Sequence, residues 1–382
     1  MMKYVYSFGA GKAEGSSLMR NLLGGKGCEL AEMTNLGIPV PPGFTITTQA
    51  WSRYNKAGRQ WPDGLGQQVI AHLATLEAIT ERTFGDPTRP LLLSVRSGAR
   101  TSMPGMMETV LNLGLTDQTV EGLAALTKNG RFAWDCYRRF ITMFAGVVLG
   151  IRREAFDEHL HAVKARLRVK TDAEVPADEL RKLTQTFKDI VSGRTGSPFP
   201  QDPKEQLRLA IDGVLDSWFA KKATEYRRIH GIPSDWGTAV TVMAMVFGNL
   251  GETSGTGVGF TRDPRTGERR FYAEFLANAQ GEDVVAGIRT PEHIEDLRAR
   301  MPKIYEELVA FADRLERHYK DMQDIEFTIQ EGRLYLLQTR SGKRSAAAAV
   351  RVAVDLVRES VIDRYTALLR VRPHDLHQVL HP

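Results

Sequence analysis

Cysteine is nearly absent: the 382 residues contain Cys28 and Cys136 and no other. Two thiols cannot build a disulfide framework or a cysteine-ligated zinc site, and a reducing cytoplasm is the expected compartment. Long apolar runs are missing too. No stretch approaches the ~18 uninterrupted apolar residues of a membrane span, and the opening MMKYVYSFGAGKAEG lacks the apolar core of a secretion signal. A cytosolic chain with no membrane partner is expected. Charge of one sign is also scarce. The 51 Lys plus Arg against 46 Asp plus Glu leave a dispersed +5, which excludes the concentrated basic footprint of a nucleic-acid binder and suits a small anionic ligand. There is no internal repeat and no low-complexity tract.

What is present is an ordinary mix, 42% hydrophobic and 25% charged, on a chain long enough for two or three cores. Short apolar runs such as FTITT and LLLSV between Gly- and Pro-rich loops predict a mixed α/β part over 1–111, rejoined by 198–241. Over 112–197 the period turns helical. In RFAWDCYRRFITMF, Phe132, Cys136, Phe140 and Phe144 fall every fourth residue on one face, and SGRTGSPFPQDPKE ends that block as a loop. Strand patterns dominate 242–340, where IEFTI and LYLLQ around Glu331 and Gly332 predict a β-hairpin. The Ala-rich, amphipathic stretch over 341–382 predicts a helical linker. The fold class is α+β with a helical insertion.

Four stretches carry possible chemistry. In LLGGKGCELAEM (22–33) a glycine turn leads into a helix, and glycines let backbone N–H groups approach an anion while Lys26 adds a mobile charge; a plain helix entry with an exposed lysine is the competing explanation. A Walker A loop is excluded because Arg20 and Gly27 stand where it needs Gly and Ser or Thr. The dinucleotide fingerprint fails at Glu14, after Gly9 and Gly11, and at Phe260, after Gly255 and Gly257. In LLLSVRSGARTSMPGMMET (91–109) a strand delivers Arg96, a possible phosphate fork, to a loop holding Ser97, Gly98, Thr101, Ser102 and Gly105; a carboxylate partner for Arg96 is the alternative. In DIEFTIQEGRLYLLQTR (324–340) alternation puts Asp324, Glu326 and Thr328 on one face and Ile325, Phe327 and Ile329 on the other, with Gln338 and Arg340 sharing a face of the returning strand. Hard oxygen donors of this kind suit a nucleotide-borne Mg²⁺, although a solvated polar face is the commoner fate of such strands. In GETSGTGVGF, Thr253, Ser254, Gly255, Thr256 and Gly257 are expected to form a donor-rich loop able to fold over phosphates, or else a tight strand connection. The nine histidines are scattered. His159 and His161, two apart, do not share a helix face and are assigned no metal.

These stretches, with NAQGEDVVAGIRTP and SGKR, occur in the same order in the nucleotide-binding region of the pyruvate phosphate dikinase family, which the chain resembles over essentially its whole length. Phosphoenolpyruvate synthases and glucan water dikinases share the GGKG element and a VRSS-type strand end. VRSGARTSMPGMMET resembles the dikinase form instead. The resemblance implies an ATP-grasp type fold, with ATP held between the mixed N-terminal part and a sheet of the later strands. It implies that Lys26 and Arg96 contact the triphosphate, that Glu326 and Gln338 hold Mg²⁺, and that Arg340 steadies the transferring phosphoryl groups. It places Ser102, Met103, Gly105, Arg139, Thr253, Glu282 and Asp324 around the nucleotide.

In that family, a phosphotransferase with paired acceptors, ATP first pyrophosphorylates a histidine on a swivelling domain. Phosphate then takes one phosphoryl group, and pyruvate receives the other at a distant barrel. The acceptor histidine sits in a GGMTSHAA-like motif. No His here follows Thr-Ser, so the expectation is a donor site whose phosphohistidine domain lies elsewhere, in a chain that is either a piece of a longer protein or a shortened one. A nucleotide-binding module without turnover, or the ATP domain of a synthase-like dikinase, is the alternative.

Overall fold

A computed structural model describes residues 2–285 and 290–380. The chain divides into two compact units, Met1–Glu32 with Pro41–Met245 and Met33–Val40 with Val246–Pro382.

The first unit contains β1 (Val5–Phe8), α1 (Arg20–Asn35, whose last turn belongs to the second unit), β2 (Gly43–Ile46), α2 (Thr48–Lys56), α3 (Leu65–Thr80), β3 (Thr83–Phe84), β4 (Pro90–Leu91), β5 (Leu93–Ala99) and β6 (Thr109–Leu113). It continues through α4 (Thr119–Thr127), α5 (Gly130–Val148), α6 (Glu154–Leu167), α7 (Ala177–Thr195), α8 (Pro203–Asp216) and α9 (Lys221–Ile229) to β7 (Thr238–Ala244). Its main sheet is antiparallel with order β1-β2-β7-β5-β6, and β3 and β4 form a short parallel pair beside it. The late strand β7 sits at the centre, all seven of its residues buried, so the helices from α4 to α9 are a long excursion between two strands of one sheet. α5 supplies that excursion's core: Phe132, Cys136, Phe140 and Phe144 are all at most 1% exposed. Phe199, from the loop between α7 and α8, packs edge-on against Phe140 and Phe144. That loop is therefore anchored by one aromatic side chain despite its Gly- and Pro-rich sequence.

The second unit contains β8 (Gly255–Phe260), β9 (Tyr272–Ala277), α10 (Gly281–Val285), β10 (Glu292–His293), α11 (Ile294–Arg300), α12 (Pro302–Tyr319), β11 (Gln323–Gln330), β12 (Arg333–Ser341), α13 (Ala346–Arg358), α14 (Arg364–Arg370) and α15 (Pro373–Leu380). Its sheet is antiparallel with order β10-β9-β8-β11-β12. With both main sheets antiparallel and the helices grouped outside them, the chain is α+β. No helix among the described residues is long and apolar enough to cross a membrane.

Two expectations change here. Gly255, Thr256 and Gly257 form no loop: they begin β8, between β9 and β11. The reason is steric. A Cβ on Gly255 would meet the Phe275 ring at 2.3 Å and one on Gly257 the Phe327 ring at 2.4 Å, so these glycines leave room for aromatic core residues. Second, 242–340, where strand patterns dominate the sequence, holds an 18-residue helix, α12, which buries Ile304, Leu308, Phe311, Ala312 and Leu315.

Candidate functional site

In the first unit the site begins at a break in α1. Gly24 has φ 67° and ψ 178°, outside helical values, and the chain turns there before the helix proper carries Lys26. A Cβ on Gly24 would lie 1.7 Å from the Gly98 carbonyl oxygen of β5, and one on Gly27 would lie 2.7 Å from the Thr45 side chain of β2. The GGKG glycines thus let α1 touch the sheet backbone. The approach delivers the Lys26 ammonium to the Ser97 carbonyl, to which it donates at 2.8 Å.

Arg96 lies one residue earlier on β5, half-buried, in register with Thr241 of β7 on one side and Thr109 of β6 on the other. Thr45 faces Thr241 in the next position across the sheet. The hydroxyls of Thr45 and Thr241 are buried and find no hydrogen-bond partner among the described residues. Beyond β5 the chain enters the loop 101–108. There Met103 is buried, and the Met106 amide closes a turn on the Met103 carbonyl at 3.1 Å, with Pro104 second and Gly105 third at φ 70°. That arrangement is a type II turn, for which Pro-Gly is the favoured pair.

In the second unit the predicted hairpin is present. Gln330 and Arg333 are joined by Glu331 and Gly332, both at positive φ, as a type I′ turn requires. Leu334, Leu336, Gln338 and Arg340 are each two residues apart and would share one face of a regular strand. The register shifts after Glu326, so that Phe327 faces Leu336 while Glu326 faces Gln338. Leu337 is the extra residue of this β-bulge. It resets the alternation, so Leu334 and Leu336 pair with Ile329 and Phe327 in the core, and Gln338 and Arg340 pair with Glu326 and Asp324.

Two carboxylates, an amide and a guanidinium thereby form a two-by-two array. Arg340 donates from Nε to Asp324 Oδ2 at 2.7 Å. Burial nonetheless pushes the Asp324 carboxyl above the usual range, against the pull of Arg340. Directly opposed pairs hold their Cβ atoms about 4.5–5.5 Å apart, so the Glu326 carboxylate and the Gln338 amide oxygen can reach one small, hard cation. No cluster of three or more His, Cys, Asp or Glu able to hold a metal occurs among the described residues. A cation on this pair would complete its shell with nucleotide oxygens and water, as Mg²⁺ does.

The remaining predicted residues have partners within their own units. Thr253 accepts a hydrogen bond on its carbonyl from the Gly332 amide, 2.9 Å away, at the turn end of the hairpin, opposite to the array. Arg139 of α5 donates to Asp135 at 3.0 Å within a partly buried network that includes Arg138, Asp172 and Lys164. Burial opposes the charge of Asp135, but Arg138, Arg139 and Arg131 outweigh it and hold the carboxyl far below the usual range. The side chain of Glu282 lies outside the described residues. Sequence reasoning passed over Arg100 and Trp236, whose guanidinium and ring meet at 5.4 Å; no spacing in the sequence links positions so far apart.

A family model described as pyruvate phosphate dikinase, AMP/ATP-binding domain, matches residues 20–76, 57–303 and 300–360. The chain belongs to this family. Among similar proteins, the pyruvate, phosphate dikinase of Rhizobium meliloti (strain 1021) is 54% identical over 394 residues, and the match covers 100% of this chain and 44% of that relative. The chloroplastic pyruvate, phosphate dikinase of Mesembryanthemum crystallinum is 53% identical with 40% of its length covered, and the pyruvate, phosphate dikinase of Clostridium symbiosum is 52% identical with 43% covered. The chain therefore spans about two fifths of the length of the dikinases it matches.

Proposed function

We propose that the chain binds MgATP and donates its β,γ-phosphoryl groups to a histidine on a separate domain, the first partial reaction of the pyruvate phosphate dikinases to which it is similar. The observation that carries this is the bulged hairpin, which spends a register shift to bring Asp324, Glu326, Gln338 and Arg340 together on one face. A solvated face needs no such arrangement. The fold is read as an ATP-grasp type, with 112–197 as a helical insertion and 341–382 as the linker toward the phosphohistidine domain.

In the first unit, Lys26, Arg96 and the Ser102–Gly105 loop are the phosphate contacts. In the second, Glu326 and Gln338 hold Mg²⁺, and Arg340 steadies the phosphoryl groups in transfer. Bound there, Mg²⁺ would supply charge neutralisation on phosphate oxygens. The imidazole nitrogen attacks the β-phosphorus, the bond from that phosphorus to the bridging oxygen of AMP breaks, and AMP leaves with the electron pair. Such a step asks the protein for positioning and charge stabilisation, and asks for no covalent partner within this chain. A cytoplasmic setting fits the two buried cysteines, Cys28 and Cys136, neither of which is in a disulfide.

Supplying a separately expressed histidine domain with β- and γ-labelled ATP in turn tests this. Both labels are expected on the histidine domain only when this chain is present. ATP binding with no label transferred under any condition would leave a nucleotide-binding module without turnover.

A further inference from the structure

The loop 101–108 is exposed at Thr101, Ser102, Pro104 and Gly105 and half-buried over 106–108, yet it is tied at both ends to one neighbouring segment. At its root, the Arg100 guanidinium lies over the Trp236 ring, 5.4 Å from the centroid, inside the range where a cation is attracted to an aromatic face. At its far end, Glu108 pairs with Lys222 of α9 at 2.6 Å. Lys222 and Trp236 both belong to the stretch from α9 to the start of β7.

That stretch is rigidly seated. Gly237, next to Trp236, has φ 64°, and a Cβ on it would lie 2.0 Å from the Trp51 ring. Trp218 donates from its ring nitrogen to the Ser234 carbonyl at 2.9 Å and packs edge-on against Trp51. Trp236 is therefore a fixed platform. The Arg100 Nε, buried and without a hydrogen-bond partner among the described residues, shows that hydrogen bonding at that atom is given up while the guanidinium lies over the ring.

We infer that Arg100 is a positioning residue, which by stacking on Trp236 pins the root of the 101–108 loop and so presets Ser102–Gly105 for an incoming triphosphate. This rests on the MgATP reading above. It goes beyond that reading in assigning the loop's order to a cation–π anchor. Preordering matters because a loop that must be immobilised on binding subtracts from affinity.

The test combines rapid hydrogen exchange of the 101–108 amides, without nucleotide, with calorimetric titration of MgATP, on wild type, Arg100→Ala, Trp236→Leu, Trp236→Phe and the Arg100→Ala/Trp236→Leu double variant. Arg100→Ala and Trp236→Leu are each expected to speed loop exchange and to weaken MgATP binding about three- to tenfold. Trp236→Phe, which keeps a ring, should stay near wild type, and the double variant should be no worse than the poorer single. Unchanged loop exchange in Arg100→Ala overturns the anchor. Faster exchange with unchanged MgATP affinity overturns its role in binding, and fully additive losses in the double variant overturn the pairing. If Trp236→Leu does not fold, Arg100→Ala and Trp236→Phe decide alone. A wild-type chain that binds no MgATP sinks the nucleotide reading instead, and the exchange measurement still decides the anchor.

Discussion

In the first unit, Lys26 and Arg96 are set by backbone that closes on backbone: Gly24 turns where few other residues can, against the carbonyl of Gly98. In the second unit, Asp324, Glu326, Gln338 and Arg340 are set by strand register, and one surplus residue, Leu337, decides which side chains share a face. The first arrangement has no room for an added atom at its pivot, whereas the side chains it displays are not what closes the turn. The second is expected to tolerate truncation of a displayed side chain such as Arg340, but not the gain or loss of a residue on the array side of the bulge. A short glycine motif and a bulged hairpin thus reach the same end, polar groups held at fixed spacing, with opposite vulnerabilities.

The contrast is broken most severely from the second side. Deleting Thr339, on the array side of the bulge, slips the strand by one: either Arg340 is turned onto the core face beside Ile325 or, if the bulge closes up, Gln338 is. The expected loss is about 5 kcal/mol or more, at the extreme of single-site effects, with the melting transition of the second unit lost or strongly lowered. Next comes Gly24→Ala. An Ala there must accept a positive φ and a 1.7 Å clash with the Gly98 oxygen, and chemical denaturation should show a loss of about 3–4 kcal/mol. Gly105→Ala makes the comparison sharper: it shares the positive φ but has nothing within 4 Å of the added Cβ, so only about 1 kcal/mol is expected.

Smaller effects separate display from scaffold. Arg340→Ala should weaken MgATP binding about ten- to a hundredfold, the worth of a charge-assisted contact, while Glu326→Ala should raise the Mg²⁺ concentration needed. Both should keep a cooperative melt. Calorimetry at several Mg²⁺ levels checks this, and wild-type binding by both variants throughout would return the hairpin to a solvated face. The smallest effect is of opposite sign. Thr241→Val replaces a buried hydroxyl without a partner by a methyl group of similar size, and a gain of about 1 kcal/mol is expected in denaturant titration.

Periodic features were legible in the sequence. The four-residue recurrence of Phe132, Cys136, Phe140 and Phe144 and the Glu331-Gly332 turn are local patterns, and the folded chain uses both. The helical period of Ile304, Leu308, Phe311, Ala312 and Leu315 is equally present but lies among strand-like runs that mask it. Other features depend on partners distant in sequence. Gly255 and Gly257 look like loop glycines until Phe275 and Phe327 arrive beside them. The bulge follows from which leucines the core accepts, and the Arg100 anchor depends on a tryptophan brought up by β7. At the candidate site, residue types and strand faces could be read from 324–340 itself. The ion pair from Arg340 to Asp324, and the burial that raises the carboxyl in spite of it, required the folded sheet.

Both cysteines fall in the first unit, Cys28 directly after the GGKG turn and Cys136 inside α5, and the second unit has none. Each is fully buried, and burial, with Glu29 nearby, pushes the Cys28 thiol up to about 12. Neither can react with an alkylating probe unless its surroundings open. The wild-type chain therefore carries its own pair of clocks. Cys28 times opening of the glycine turn and Cys136 times opening of the helical core, so the first unit can be followed at two places without engineered labels and without background from the second. Bound nucleotide is expected to slow the Cys28 clock more than the Cys136 clock, as mass spectrometry of alkylated peptides would show. Equal slowing would mean that the turn and the helical core open as one.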